Sequence, residues 1–288
     1  MELVQRVSRK FADLSPQLQL AARFVIDHPD EIATHSLRQI AKQSGLSAPT
    51  YSRLARAIGY DEYEALRDTC RESLKQTQLT LAERAALVQT SGEPMSSSAR
   101  GSFAARHAAT VASSINAMVA NLDPDALADV ADRLAAAQSV RLAGSQSSGA
   151  MVDYIHHIAS LASANWSIVG RNGSSASSDL ADVNGETVLL SISVSPYLRR
   201  TLQITETAAA VGATVVAITD DVRSPILRFS HHSFIVPTDS LQFFPSHVSI
   251  LTLLEILGGM VVRRLGHQAN SRIDRVEQLS RAVGDYVE

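Results

Sequence analysis

Two serine-rich segments are the part of this sequence best suited to hold a small anion. Residues 143–149 read AGSQSSG, and residues 191–196 read SISVSP. Each follows an apolar run of strand length and leads into a helical pattern. Its hydroxyls therefore lie beside a helix amino terminus, where free N–H groups also favour negative charge. The candidate ligand-binding residues are Ser147, Ser148, Ser193, Ser195 and, one turn further along the chain, Arg199.

An alternative interpretation of these serines is purely structural. Serine commonly caps helices and tightens turns without binding any ligand. One such segment would favour that interpretation. Two of them at the same edge of one sheet favour a binding pocket.

A second candidate surface lies in residues 37–60, LRQIAKQSGLSAPTYSRLARAIGY. Ser36 and Gln39 have the spacing of a capping box, which begins a helix, and Gly45 supplies the left-handed conformation that ends it. Ser47 then caps a second helix, with Pro49 in its first turn. Two short helices joined by a tight turn are typical of a DNA-binding helix-turn-helix.

The charge of this stretch supports the same interpretation. No Asp or Glu occurs between Ile32 and Tyr60. The same range contains four basic residues that could neutralise phosphates, Arg38, Lys42, Arg53 and Arg56. The alternative is an ordinary helical core whose exposed face is basic. The candidate DNA-binding residues are Arg38, Ser47, Pro49, Thr50, Ser52, Arg53 and Arg56, although the spacing of Thr50 also fits the inner face.

Enzymatic chemistry is less well supported by the residues. Aldose–ketose isomerisation needs a base and sometimes a lysine, but no lysine follows Lys75. Glu255 is a possible base, although its setting in LTLLEILGG is that of a helix-surface carboxylate. The remaining candidates are two adjacent histidine pairs, 156–157 and 231–232, which lack metal-ligand spacing. We therefore expect no catalytic residue, no bound metal and no cofactor in this protein.

The elements that position the serines begin near residue 103. Strand-length apolar runs alternate there with helical patterns, which predicts a parallel sheet covered by helices on both faces. Ligands of such sheets bind at the carboxyl ends of the strands. The predicted strands are 139–143, 166–169, 187–193, 214–219 and 233–236, and the predicted helices are 150–163, 175–182, 198–211 and 246–264.

The domain organisation follows from these patterns. Residues 1–76 are predicted to form an all-helical domain with the helix-turn-helix, and residues 103–288 an α/β domain that binds the effector. Residues 77–102 are predicted to be a linker, in which residues 91–102 are rich in Ser and Gly.

Composition limits the class of protein. With 288 residues, 45% hydrophobic and 19% charged, the chain suits two globular domains, and its net charge of −3 excludes a generally polybasic protein. The single cysteine, Cys70, permits no internal disulfide and fits a reducing compartment. We find no apolar run of membrane-spanning length and no secretory signal pattern. The sequence therefore predicts a cytoplasmic protein without a membrane partner.

Both halves together resemble the RpiR family of bacterial transcriptional regulators. The first half carries LRQIAKQSGLSAPTYSRLARAIGYDEYEALR, and the second carries LAGSQSSGA, LLSISVSPYLRRT, VVAITDDVRSPILRFS and FFPSHVSILTLLEIL. In that family a helix-turn-helix precedes a sugar-isomerase-type (SIS) domain that senses phosphorylated sugars. The resemblance implies an all-α helix-turn-helix domain followed by an α/β SIS domain with a flavodoxin-like five-stranded parallel sheet.

The resemblance also assigns particular residues. Ser148 matches the serine of the first SIS loop, and Ser193 and Ser195 match serines of the second, which hold sugar phosphate. Three positions depart from the pattern, namely Gln146 and Pro196 where glycine is usual and Leu198 where threonine is usual. Another small anion could therefore replace the sugar phosphate, with Arg199 or Arg200 compensating. Tyr51 replaces a small β-branched residue and is expected to fill the core, with its hydroxyl at the rim.

The resulting expectation is a transcriptional regulator that binds double-stranded promoter DNA and a small effector, with sugar phosphate as the leading class. The family resemblance and the geometry of a helix-turn-helix both imply a homodimer or homotetramer. The alternatives are a sugar-phosphate isomerase with a helical appendage and an adaptor that does not bind DNA.

Overall fold

The computed structural model describes residues 3, 6–7, 10–90, 102–171 and 173–285. By its internal contacts the chain divides into two compact units, residues 1–103 with 241–244 and residues 104–240 with 245–288. Within the expected linker, residues 91–101 lie outside the described residues, while residues 81–90 are helical.

The first unit is all-helical in its described part. The described residues 3, 6, 7 and 10 are helical, and a 3₁₀ turn follows at Phe11–Asp13. The α-helices after this turn are α1 (Pro16–Asp27), α2 (Pro29–Thr34), α3 (Leu37–Ser44), α4 (Ala48–Ala57), α5 (Tyr63–Gln78) and α6 (Leu81–Thr90). The sequence pattern does not predict α2, because the residue before a proline is disfavoured in a helix and His28–Pro29 by itself indicates a helix end. Proline instead occupies the first turn of a new helix, where its missing N–H costs nothing.

Local capping determines the turn between α3 and α4. The Ser36 side chain accepts the Gln39 backbone N–H, and the Gln39 side chain accepts the Ser36 N–H at 2.9 Å, which confirms the capping box. Gly45 has φ 69° and ends α3 in the left-handed region, as predicted. Ser47 is the amino-terminal cap residue of α4, but its side chain makes no capping hydrogen bond.

An apolar core lies beneath these helices. Its largest fully buried side chains include Ile32, Ile40, Tyr51, Leu54 and Leu66. The Tyr51 hydroxyl is buried as well, so the expectation that it lies at the rim of the core was wrong. Cys70 is a free thiol in the same core, and burial raises its pKa to about 11, which makes it a poor nucleophile.

The second unit contains a five-stranded, all-parallel sheet with strand order β2-β1-β3-β4-β5. This confirms the expected fold class of a helical region followed by an α/β domain. The strands are β1 (Ser139–Ala143), β2 (Trp166–Ile168), β3 (Thr187–Ser193), β4 (Thr214–Thr219) and β5 (His232–Ile235). The described α-helices are α7 (Phe103–Asn121), α8 (Pro124–Ala136), α9 (Ser147–Ala162), α10 (Ala176–Ala181), α11 (Arg199–Ala210), α12 (Val248–Leu265) and α13 (His267–Val283), and a 3₁₀ helix spans Pro225–Phe229.

Both faces of the sheet are covered by apolar residues. Side chains of α8, α9 and α12 form one cluster with Val188, Leu190 and Ile192, and side chains of α10 and α11 form another with Leu189 and Val215 on the opposite face. Every residue of β3 is buried. β3 is therefore covered on both faces, as is typical of a central strand in a parallel sheet.

The strand order determines where the serine-rich segments lie. β1 and β3 are neighbours in the sheet although β2 separates them in sequence. The connections leaving β1 and β3 therefore diverge to opposite faces and open a crevice at the carboxyl edge, as expected at a topological switch point. We call this the carboxyl edge, meaning the described segments 144–148, 169–171, 173–175, 194–199 and 220–224.

Candidate functional site

A glycine brings the first serine segment against helix α9. β1 ends at Ala143, and α9 begins at Ser147. A Cβ atom on Gly144 would lie 2.7 Å from Val152 Cγ2 and 2.9 Å from the Ser148 carbonyl oxygen, closer than real contacts allow. No other residue fits there without moving the helix, so Gly144 determines how closely the loop approaches the first turn of α9.

Gln146, in the same loop, has φ 52° and ψ −121°, and it is the one non-glycine residue with positive φ in the described part of the chain. This is the position at which the SIS pattern usually has glycine. Its carbonyl oxygen accepts the Gly149 N–H at 2.9 Å, which holds the loop closed. A side chain in such a conformation costs about 1–3 kcal/mol.

Replacing Gln146 with glycine is therefore expected to stabilise the protein. Relief of backbone strain is partly offset by the greater entropy of glycine in the unfolded chain, which leaves a net gain of about 1 kcal/mol. Gln146→Ala is the matched control, since it removes the polar side chain but retains Cβ. Urea denaturation should show a higher midpoint for the glycine variant than for the alanine variant, and equal midpoints would contradict the strain.

The structure distinguishes two kinds of serine hydroxyl at the carboxyl edge. Ser145 accepts the Thr201 hydroxyl at 3.0 Å, and Ser191 shares a 2.7 Å hydrogen bond with Thr205. Ser148 and Ser193 are each only 5% exposed, and neither hydroxyl has a hydrogen-bond partner within the described residues. Neither oxygen is fully buried, so both hydroxyls are available to a ligand or to water.

The remaining predicted ligand residues lie at the same edge. Ser147 is partly buried at the start of α9, Ser195 is exposed, and Arg199 is exposed at the start of α11. All five predicted positions are therefore brought to one edge by β1, β3 and the two helices that follow them. Their role in binding remains a prediction.

Asp220 is a residue of this edge that sequence reasoning missed. It follows β4, and its carboxylate accepts the Ser195 backbone N–H at 3.3 and 3.2 Å. The second loop therefore offers a ligand fewer backbone donors, because the Ser195 N–H is engaged and Pro196 has none. The signal in the sequence was its position, immediately after the strand predicted at 214–219.

Burial raises the pKa of the Asp220 carboxyl, and the Ser195 N–H acts in the opposite direction. The neighbouring Asp221 behaves differently. Arg223 donates to both of its carboxylate oxygens, at 2.9 and 2.8 Å, and this pairing lowers the pKa of Asp221. Asp220 has no ion pair within the described residues.

Positive charge approaches the edge from an unexpected segment, the one that follows β2. Arg171 donates from Nη1 to both carboxylate oxygens of Asp153, at 2.9 Å each. Its Nη2 lies 2.7 Å from where a Cβ on Gly149 would stand, which places the guanidinium over the first turn of α9. Arg200 reaches the same segment, with Nη2 3.4 Å from the Gly170 carbonyl oxygen.

The predicted DNA-binding residues lie around the turn of the first unit. Arg38, Ser47, Pro49, Arg53 and Arg56 are exposed, and Ser52 is partly exposed. Thr50 is the exception, because it is only 1% exposed and its hydroxyl shares a 2.8 Å hydrogen bond with the Ser47 hydroxyl. Thr50 therefore supports Ser47 from inside the fold, as its helical spacing predicted, and it does not share the outward face of the other candidates.

The basic residues of this face are not neutralised by the protein. Arg38, Lys42, Arg53 and Arg56 make no ion pair within the described residues. Arg53 and Arg56 are three positions apart on α4, so they lie on one side of the helix. The exposed face of α3 and α4 is thus positively charged and open, which we call the basic face.

The other candidate groups make structural contacts. Glu255 on α12 accepts the Tyr154 hydroxyl of α9 at 2.5 Å, and His231 Nδ1 accepts the Val215 N–H at 3.0 Å. Among the residues that the structure describes, no three His, Cys, Asp or Glu side chains are grouped to hold a metal ion. None of the described helices is both long and apolar enough to cross a membrane.

Comparison with known proteins identifies the second unit. Residues 134–259 match the SIS domain. Comparison with curated proteins gives no match. The sugar isomerase domain of an RpiR transcription factor from Sphaerobacter thermophilus is 21% identical, with a TM-score of 0.57 over 60% of this chain and 97% of that one.

A second solved structure is similar over almost the whole chain. The Vibrio vulnificus NanR protein, complexed with ManNAc-6P, is 16% identical, with a TM-score of 0.58 over 98% of this chain and 99% of that one. At these identities the comparisons establish the fold alone.

Proposed function

We propose that this protein is a DNA-binding transcriptional regulator of the RpiR type, whose SIS domain senses a sugar phosphate or a related small anion. The observation that carries the proposal is a combination within one chain. Two short helices with an open basic face precede a SIS domain in which the Ser148 and Ser193 hydroxyls have no partner among the described residues.

The basic face is proposed to bind DNA through α4. Ser47 and Pro49 lie at the start of this helix and Ser52, Arg53 and Arg56 along it, so insertion into a major groove would bring them to base edges and phosphates. Arg38 on α3 is placed to contact the backbone.

The carboxyl edge is proposed to bind the effector. Ser148 and Ser193 supply hydroxyl donors, Ser147 and the first turn of α9 supply further donors, and Arg171 supplies charge. The ManNAc-6P in the NanR complex is a phosphorylated sugar, which makes sugar phosphates the first class to test.

The alternative, a sugar-phosphate isomerase, has less support. No lysine occurs after Lys75, so the SIS domain cannot form a Schiff base. Glu255, the candidate base, is held by the Tyr154 hydroxyl and belongs to α12 rather than to the carboxyl edge. We therefore propose a binding protein and not an enzyme.

A regulator of this kind is expected to act as a homodimer or homotetramer. One helix-turn-helix reads a single half-site, and two copies held a helical turn or a multiple of it apart read a full operator. Light scattering at micromolar concentration should therefore give at least twice the 30.9 kDa mass of one chain. A monomer under these conditions would contradict the proposal that paired copies read the operator.

The function as a whole is tested by one titration. Fluorescently labelled DNA from the promoter region of the gene for this protein is titrated with the full chain, with and without a panel of sugar phosphates. We expect specific binding that at least one sugar phosphate changes, typically by 1–3 kcal/mol of coupling. Absence of specific DNA binding would disprove a regulator, and turnover of a sugar phosphate would favour the isomerase.

A further inference from the structure

The second loop, residues 194–198, connects β3 to α11 and is held by a residue at the end of β4. That residue is Asp220, whose carboxylate accepts the Ser195 N–H at 3.3 and 3.2 Å. The Tyr197 hydroxyl donates to the same carboxylate. Asp220 therefore contacts the loop at two positions, one through the backbone and one through a side chain.

The contacts of Asp220 within the protein leave its carboxylate little capacity to accept from a ligand. Its own backbone N–H also donates to it, and the Thr219 hydroxyl lies 3.4 Å from its Oδ1. A carboxylate has about four lone pairs for hydrogen bonds, and groups of four residues of this protein surround the carboxylate of Asp220. Asp220 is therefore suited to hold the loop and not to contact the effector itself.

The same contacts leave the serine hydroxyls beside the loop free. The protein holds the backbone at both serines, because the Thr219 hydroxyl donates to the Ser193 carbonyl oxygen at 2.7 Å and Asp220 accepts the Ser195 N–H. Neither serine hydroxyl has a hydrogen-bond partner within the described residues. A backbone that is already held, with free hydroxyls, loses less conformational entropy when a ligand binds than a mobile loop does.

The loop has few hydrogen-bonding groups with which to hold itself. Pro196 has no N–H, and Leu198, the amino-terminal cap residue of α11, makes no side-chain capping hydrogen bond. The hydrogen bonds to Asp220 therefore matter more for the conformation of this loop than they would for a loop that is capped from within.

We propose that Asp220 is a positioning residue of the effector site, which holds the second loop so that the Ser193 and Ser195 hydroxyls are in place before the effector binds. The inference rests on the proposed function, because it concerns the effector of that same site. It requires that Asp220 acts through the two serines and makes no contact with the effector.

Amide hydrogen exchange of the full chain without effector tests the contact itself. Because the Ser195 N–H is engaged, peptides that span residues 194–198 should contain a slowly exchanging amide. Asp220→Ala should raise the exchange rate of that amide by about tenfold or more, while peptides that span residues 144–148 should be unchanged. Equal exchange at residues 194–198 in this variant and in the parent would overturn the inference.

Asp221→Asn is the matched control for the exchange measurement. It removes a carboxylate from the neighbouring position, but that carboxylate is paired with Arg223. The control should therefore show the exchange rates of the parent at residues 194–198.

Isothermal titration calorimetry with the full chain at pH 7 then measures the consequence for binding. The probes are ManNAc-6P, glucose 6-phosphate and fructose 6-phosphate. Asp220→Ala should weaken binding of the tightest of these probes by about tenfold or more, because the ligand must then order the loop. Asp220→Asn retains an oxygen that can accept the Ser195 N–H, so its affinity should stay within about threefold of the parent.

Two results of this titration would contradict the positioning role. An alanine variant that binds as tightly as the parent would show that the loop needs no support from Asp220. An asparagine variant as weak as the alanine variant would assign the effect to the charge of Asp220 and would also overturn the inference.

A double-mutant cycle distinguishes positioning from a general loss of stability. Ser193→Ala should weaken binding by about tenfold or more in the parent, but by less than about threefold when residue 220 is already alanine, since the hydroxyl is then no longer held in place. Equal effects of Ser193→Ala in the two backgrounds would show that the residues act independently, which would overturn the inference.

These outcomes separate the inference from the proposed function. If at least one probe binds and the exchange at residues 194–198 does not depend on Asp220, the sugar-phosphate sensor remains and only the role of Asp220 is lost. Binding of none of the three probes by the parent overturns the sugar-phosphate class and, with it, the role of Asp220 in binding.

Discussion

Removing the hydroxyls of Ser148 and Ser193 together should abolish the effector response while leaving the affinity for DNA without effector unchanged. Neither hydroxyl has a partner within the described residues, so their loss breaks no hydrogen bond of the protein itself. Each hydrogen bond lost to a charged ligand costs roughly 1.5–3 kcal/mol. The double Ser→Ala variant should therefore bind the effector about 10²–10⁴-fold more weakly.

The measurement is the same DNA titration, run with and without the most effective sugar phosphate. Ser191→Ala is the matched control, since Ser191 lies two residues before Ser193 on β3 and its hydroxyl is already engaged by Thr205. That control should lose about 1 kcal/mol of unfolding free energy and keep the effector response. A double variant that responds like the parent would place the effector at another site.

Replacing Arg53 or Arg56 with alanine should weaken binding to the operator by about 1–3 kcal/mol, or roughly 5–150-fold. Both side chains are exposed on one side of α4 and make no ion pair within the described residues, so their loss leaves the fold intact. An arginine that reads a guanine also contributes specificity. Its removal should therefore reduce the difference between operator and unrelated DNA.

Arginine-to-lysine variants separate the two kinds of contact. Lysine retains the charge for a phosphate but loses the two-pronged geometry that reads guanine, so a base-reading arginine is not rescued by lysine. Arg263→Ala, an exposed arginine of α12 in the SIS unit, is the control for loss of charge. Unchanged operator affinity in both alanine variants, at low and at physiological salt, would exclude α4 as the recognition helix.

Local patterns in the sequence were sufficient to predict most of the helices and strands and most of the residues that form the turn between α3 and α4. The capping box of Ser36 and Gln39 and the left-handed Gly45 depend on residues no more than a few positions apart, and both occur as predicted. The predicted strands agree with β1 to β5 to within one residue at each end. Such features are predictable because hydrogen bonding and backbone sterics over one or two turns decide them.

Two helices were not predicted, because local patterns do not determine them. Helix α2 was hidden because a proline can either end one helix or begin the next, and only the packing of Ile32 and Ala33 into the core decides between these. Helix α13 was not predicted at all. Of its described residues only Ala269 is buried, so its apolar pattern is weak.

The composition of the carboxyl edge was also visible in the sequence, because parallel strands place their carboxyl ends together. The serines at 147, 148, 193 and 195 could therefore be named in advance. The sequence could not show which of these hydroxyls is open to a ligand. Ser145 is satisfied by Thr201, 56 residues away, and the fold places no such partner beside Ser148 among the described residues.

Only the tertiary structure determined which charged groups lie at this edge, how they are paired and where the backbone is strained. Asp220 reaches the Ser195 N–H across 25 residues, and Arg171 lies over Gly149 because Asp153 holds its guanidinium. The positive φ of Gln146 likewise depends on how closely Gly144 brings the loop to α9. Sequence patterns report a residue's own periodicity, whereas the solvation and pairing of a polar group depend on distant segments that only the folded chain brings into contact.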